Sequence, residues 1–127
     1  MATYSFEDLE VYKAAREFRK KIFDLIKRLP PEEKYNLGSQ MRRAAKSLTN
    51  NIAEGHGRFH YQENIQYLRQ SRGSLEELLD DLNICLDESY FHAGEFDPIK
   101  AEGLELQHRI NGYIAYLRRR KSAEESP

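Results

Sequence analysis

Six apolar residues near the start of the chain, Val11, Ala15, Phe18, Ile22, Leu25 and Leu29, recur at spacings of 4-3-4-3-4. A seam of that period is buried only when the chain is helical and lies along a partner of similar length. Leu9, Tyr12 and Ile26 widen the seam to the broader face of a bundle helix. The same steps return late in the chain as Ile99, Gly103, Leu106, Ile110, Tyr113 and Leu117. Proline is confined to Pro30, Pro31, Pro98 and Pro127, which leaves three long stretches where nothing interrupts a helix. No strand-like alternation, internal repeat or low-complexity tract is present. The 127 residues suffice for one core and not for two.

Local signals divide the chain into four helices. Ser5 followed by Asp8 is an N-cap pattern that opens a first helix over residues 5–29. Pro30-Pro31 stops it and starts the next, with Glu32 and Glu33 in its first turn. That second helix spans 32–54, with a break or 3-10 turn expected near Tyr35–Gly38. Gly55 reads as its left-handed terminating residue. The third helix spans 61–89 on a seam of Tyr61, Ile65, Leu68, Leu75, Leu79, Leu82 and Leu86. Asp97-Pro98 reads as the cap and first residue of the fourth. The fold expected is all-α, an antiparallel up-down-up-down four-helix bundle. A single domain covers residues 1–121, and 122–127 form a disordered tail.

The stretch Gln40–Arg58 carries an unusual second stripe. Leu37, Met41, Ala44, Ala45, Leu48 and Ile52 fall within an arc of roughly 100°, an ordinary core face. Beside them Gln40, Arg43, Ser47, Asn51 and Glu54 fall within about 80°, while Arg42, Lys46 and Thr49 point elsewhere. Polar groups at the edge of a core need fixed partners. These are other helices, another subunit or a ligand. The third helix offers Arg72, at a seam position between Leu68 and Leu75, beside Gly73 and Ser74. A mid-helix glycine costs about 1 kcal/mol, which is rational where another backbone comes close. Arg72 is then buried against an acid such as Glu54, or its head reaches the bundle edge. The expectation is a buried polar seam of Gln40, Arg43, Ser47, Asn51, Glu54, Arg72 and Ser74, with Arg43 and Glu54 in ion pairs that fix register.

Net charge is −1, but it is segregated: residues 61–95 hold two basic and eight acidic side chains, and each other stretch is slightly basic. A non-specific nucleic-acid binder usually has a basic surplus. The polarity fits head-to-tail self-association or simply solvated helix faces. The opening MATYSFEDLEVY lacks the basic and apolar regions of a secretory signal. No run of about 18 apolar residues spans a membrane. The lone Cys85 excludes an internal disulfide and fits a reducing cytoplasm; late in an apolar helix, it reads as a packed thiol. His56 and His60 flank Arg58 without forming a defined metal motif. Gly55-His56-Gly57-Arg58 is either a plain turn or an anion cradle ahead of a helix. No catalytic set, metal site or cofactor motif is found, and no small-molecule substrate is expected. Arg118-Arg119-Arg120-Lys121 is a small basic cluster that suits a helix C-terminus.

Four stretches together resemble the 23S rRNA-intervening-sequence protein family: Phe6 to Tyr12, Leu37 to Ala45, Ser47 to Gly55, and Gly73 to Leu78. The resemblance spans nearly the whole chain. It implies a bacterial protein, a left-handed bundle and a homopentamer. Relatives include the accessory variability proteins of diversity-generating retroelements, whose pentameric rings bind nucleic acid on a basic surface. The resemblance also implies nucleic-acid binding, and the expectation is a non-enzymatic, self-associating protein that binds structured RNA or DNA, with Arg43, Arg58, Arg118, Arg119 and Arg120 as candidate contacts. The competing expectation is a scaffold or protein adaptor that binds no nucleic acid.

Overall fold

The computed structural model describes residues 4–125. They form a 3-10 turn, Phe6–Asp8, and five helices: α1 (Glu10–Lys27), α2 (Pro31–Lys34), α3 (Leu37–His56), α4 (Tyr61–Asp87) and α5 (Ala93–Glu125). No strand occurs among the described residues. α1 and α4 each pack against both α3 and α5. Across the contacts of α1 with α5 and of α5 with α4, residue numbers rise along one helix as they fall along the other. Arg28 meets Glu95 and Lys21 meets Glu102 between α1 and α5. Lys100 meets Asn83 and Lys121 meets Gln62 between α5 and α4.

The first heptad seam is buried as its spacing requires: Val11, Ala15, Phe18, Ile22 and Leu25 all face the core, with Leu29 just beyond α1. The helix begins later than expected. Ser5 and Asp8 do form a reciprocal cap, but it closes the short 3-10 turn. Leu9 is extended (φ −67°, ψ 129°) and separates that turn from α1. The expected break after Pro31 is present. α2 ends at Lys34, and Asn36 (φ −116°, ψ −90°) redirects the chain into α3. Gly38 sits under this corner, where a Cβ would come within 3.2 Å of both the Glu33 carbonyl oxygen and Ile26 Cγ2.

The glycines play other parts than those expected. Gly55 does not end its helix with a positive φ; no glycine does among the described residues. It is buried inside α3, where a Cβ would lie 2.7 Å from Asn64 Oδ1 and 2.9 Å from Tyr67 Cβ on α4. Gly73, expected at a close approach, has nothing within 4 Å of its would-be Cβ. Gly103 is the close-packed glycine of α5, against Leu79 and the Phe18 ring, whereas Gly112 faces open space.

The seam of α4 holds at Ile65, Leu68, Leu75 and Leu82 and is displaced by one residue at the positions between and after them. Ser71, not Arg72, is the buried position between Leu68 and Leu75, and Leu78 and Cys85 continue the face. Leu86 is consequently 38% exposed. α4 closes through Ser89, in the left-handed region at φ 58°. The Tyr90 N–H reaches the Cys85 carbonyl and the Ser89 N–H reaches the Leu86 carbonyl, both at 3.0 Å. This is the paired bonding of a Schellman ending, with serine where glycine is usual.

α5 starts at Ala93 rather than Asp97, and Pro98 lies within its early turns. Phe96 is the anchor: it is buried, and its ring meets Phe91 edge-on at 5.3 Å. Pro98, the sixth residue of α5, has no N–H to give the Gly94 carbonyl, so the helix forgoes one i→i−4 hydrogen bond there. At the other end, residues 122–125 are helical rather than a tail. Lys121 and Glu125, one turn apart at 3.9 Å, favour that extension. Residues 126–127 lie outside the described residues.

The glycine environments give opposite expectations for one substitution. Gly73→Ala should raise stability by about 1 kcal/mol through helix propensity alone. Gly55→Ala should lower it by about 1–2 kcal/mol, because overpacking exceeds the same propensity gain. Urea midpoints of the two variants check this.

Candidate nucleic-acid interface

α3 runs from Leu37 to Ala53 without an acidic side chain. Its inner face is held on both flanks, and that leaves its cations outside. On the α4 flank, Ser71 Oγ donates to the Leu48 carbonyl at 2.7 Å, and Ser74 and Ser47 share a 2.9 Å hydroxyl contact. Asn51 Nδ2 donates to both the Ser47 carbonyl and Oγ at 2.9 Å. On the α1 flank, Arg19 donates to Thr49 Oγ1 at 2.8 Å. Thr49, expected to point away, is buried. The helix is covered over more than one arc because neighbours press on two sides.

The polar stripe thus divides. Ser47, Asn51 and Ser74 are partly buried at its centre, whereas Gln40, Arg43 and Glu54 are exposed. The Arg72–Glu54 pairing does not form. Arg72 donates to Asn111 on α5 at 2.8 Å, and Glu54 takes Arg58 instead, at 2.7 Å. Arg43, expected in an ion pair, has no side-chain partner among the described residues, and neither does Lys46.

Beside the seam, Arg42, Arg43 and Lys46 form a groove of about 410 Å³ with Ser39, Ser47, Asn50 and Asn51. No carboxylate lines it, and neither Gln40 nor Glu54 belongs to it. Arg42 is held in place, its guanidinium 4.7 Å from the centre of the Phe23 ring. Three cations with hydroxyl and amide groups between them are what an anionic phosphodiester chain requires.

The other expected contacts are placed less favourably. Arg58 is bound to Glu54 and lies over Tyr67, donating to its hydroxyl at 2.6 Å. The N–H groups of Gly57 and Arg58 bond back to the end of α3, so they are not offered to an anion. Arg120 is hydrogen-bonded to Tyr61, which holds its pKa up. Arg118 and Arg119 are exposed, with no side-chain partner among the described residues. They lie at the α5 end that meets the start of α4, about 20 Å along the bundle from Arg43. Among the described residues, no group of three or more His, Cys, Asp or Glu could hold a metal. No described helix is long and apolar enough to cross a membrane.

An all-helical protein with a carboxylate-free cationic face on one helix is the class that these features define. The model of the 23S rRNA-intervening sequence protein family matches residues 7–112. The chain belongs to that family. It is also similar to the crystal structure of a protein of unknown function from the S23 ribosomal protein family of Bacteroides thetaiotaomicron, with 20% identity and a TM-score of 0.77. The match covers 82% of this chain and 97% of that one. At that identity the likeness speaks for the fold. No curated protein matches the chain.

Two buried titratable groups sit away from the groove on α4. Burial pushes the Cys85 thiol up to about 11, helped by Asp81 and Glu33, so it stays protonated and packed at neutral pH. Asp81 is 5% exposed, and its Oδ2 has no hydrogen-bond partner. Burial, and then the nearby Glu77 and Asp80, raise its pKa to about 6. A folded-state value above the unfolded one means that the native state binds the proton more tightly. Its contribution is therefore fully present below about pH 4 and lost as pH rises through 6. Asp81→Asn should stabilise the protein at pH 8 by about 1–3 kcal/mol, the usual cost of a buried unpaired group. That gain should shrink or vanish at pH 4.5. Urea titrations of both proteins at the two pH values measure it.

Proposed function

We propose that this protein is a non-enzymatic nucleic-acid-binding module whose contact face is the outer side of α3. The observation that carries the reading is the groove of Arg42, Arg43 and Lys46, with no carboxylate in its lining and two of the three side chains unpaired among the described residues. Family membership is consistent with an RNA-related role. The ligand is RNA or DNA, held through its phosphates, and no cofactor or small substrate takes part. Arg118 and Arg119 form a second, weaker contact at the far end.

The scaffold we infer is an antiparallel, up-down-up-down, left-handed four-helix bundle, with α2 as a one-turn link. The opposed numbering of all four packed pairs supports the antiparallel part. We further infer a bacterial, cytoplasmic protein that assembles as a homopentamer, on the strength of the family resemblance. Segregated charge favours assembly, since α4 presents Glu76, Glu77 and Asp80 while α3 presents cations. The same segregation favours a second reading, a self-assembled scaffold without nucleic acid.

Anisotropy titrations with labelled RNA and DNA separate the two readings. With three phosphate contacts, the log of the affinity should fall against the log of salt with a slope of about −2. Arg43→Glu with Lys46→Glu should weaken binding at least tenfold and leave the fold intact. Absence of binding at low salt would leave the scaffold reading. Assembly is tested independently by light scattering at micromolar protein, where a five-fold mass is expected and a clean monomer would exclude the ring.

A further inference from the structure

The α3 groove does not end at Ser39. A second groove, about 440 Å³, shares Ser39 and Arg42 with it and is completed by Ile26, Lys27, Lys34 and Tyr35. The two form one trough, from the corner between α2 and α3 to Asn51, about 24 Å of helix. Along it stand Lys27, Lys34, Arg42, Arg43 and Lys46. Among the described residues, only Lys27 of these is in an ion pair, a loose and exposed one with Asp24 at 3.8 Å.

The corner holds a side chain that the rest of the fold does not use. Tyr35 is 91% exposed, and its ring meets no other aromatic ring or cation among the described residues. It is placed where it is by packing beneath it. Gly38 lets the start of α3 close onto the Glu33 carbonyl of α2 and onto Ile26 of α1, and Lys34 and Tyr35 of that corner line the groove. Tyr35 therefore shares the lining of this groove with Lys27, Lys34 and Arg42.

We propose that this trough binds an unpaired stretch of nucleic acid, with Tyr35 as a stacking platform for one base. The inference rests on the nucleic-acid reading of α3 given above. A cationic trough alone tracks a backbone and does not distinguish one strand from two. An exposed ring at its end does, because stacking needs a base face that a duplex keeps within its own stack. Cations in line with an aromatic platform form the arrangement that holds single strands with little sequence preference. The trough length corresponds to a footprint on the order of four nucleotides.

The test uses the full chain and labelled 12-nucleotide RNA and DNA strands, each alone and annealed to its complement, at low and moderate salt. The wild type should bind the single strands at least tenfold more tightly than the duplexes. Tyr35→Ala should weaken single-strand binding roughly 5- to 150-fold, the weight of one stacked base. It should leave duplex binding and the thermal midpoint unchanged, since the ring is not part of the core. Tyr35→Phe should retain the wild-type affinity. Duplex binding equal to or tighter than single-strand binding, or indifference to Tyr35→Ala, would overturn the proposal. The nucleic-acid reading would survive that result if Arg43→Glu with Lys46→Glu still abolished binding. Absence of binding to every strand at low salt would overturn both.

Discussion

The close approach of α3 to α4 is the contact on which the rest of the molecule depends. Gly55 permits it at one end, where a single methyl group would collide with Asn64 and Tyr67. Two hydroxyl contacts, Ser71 to the Leu48 carbonyl and Ser74 to Ser47, hold it further along. Hydrogen bonds from small side chains have little reach, so they fix register more strictly than long ion pairs do. The exposed pairs between other helices, such as Lys21 with Glu102, contribute little individually. With α3 so fixed, and with Thr49 held by Arg19 on the other flank, its cations have nowhere to go but outward.

The sequence made the helices readable and concealed how they meet. The 4-3-4-3-4 seam of α1 was legible because its apolar residues are uninterrupted, and that of α5 was legible at Gly103, Leu106, Ile110 and Leu117, with Ile114 rather than Tyr113 fully buried. The seam of α4 was legible at Ile65, Leu68, Leu75 and Leu82 and missed at Ser71, Leu78 and Cys85, because Ser71 looks polar and Leu79 and Leu86 look apolar. Only contact with α3 reveals that a serine hydroxyl finds a carbonyl partner at a core position. The glycines misled for the same reason. Gly55 before a short connector is an ordinary helix stop, and its packing role depends on Asn64 and Tyr67, which belong to another helix. Asp97-Pro98 is likewise a sound start signal, overridden by the burial of Phe96 one residue earlier.

The candidate interface was legible in one residue. Arg43 was named for its place beside the core face, and it does line the groove. Arg42 and Lys46 were set aside as pointing elsewhere, although side chains as long as arginine and lysine sweep well beyond their own helical angle. Lys27, Lys34 and Tyr35 could not be associated with them in one dimension. They arrive from α1 and α2, and the fold of the α2–α3 corner brings them together. Arg58 and Arg120 fail as open contacts for a complementary reason, since each is already engaged by an aromatic neighbour.

A net charge of −1 does not argue against phosphate binding once the charges are placed. At physiological salt, a charge is screened over about 8 Å. A phosphate in the α3 trough would therefore respond chiefly to Arg42, Arg43 and Lys46, and less to carboxylates outside the groove lining. The local field is cationic even though the molecule is not. On the proposed reading the acidic helix still matters, because it would repel a nucleic acid from the neighbouring surface and confine a strand to the trough. A uniformly basic bundle would hold a polyanion on all sides and in no particular register. Segregated charge would give up some non-specific affinity and keep orientation, which suits the proposed site, where Tyr35 stands at a single end.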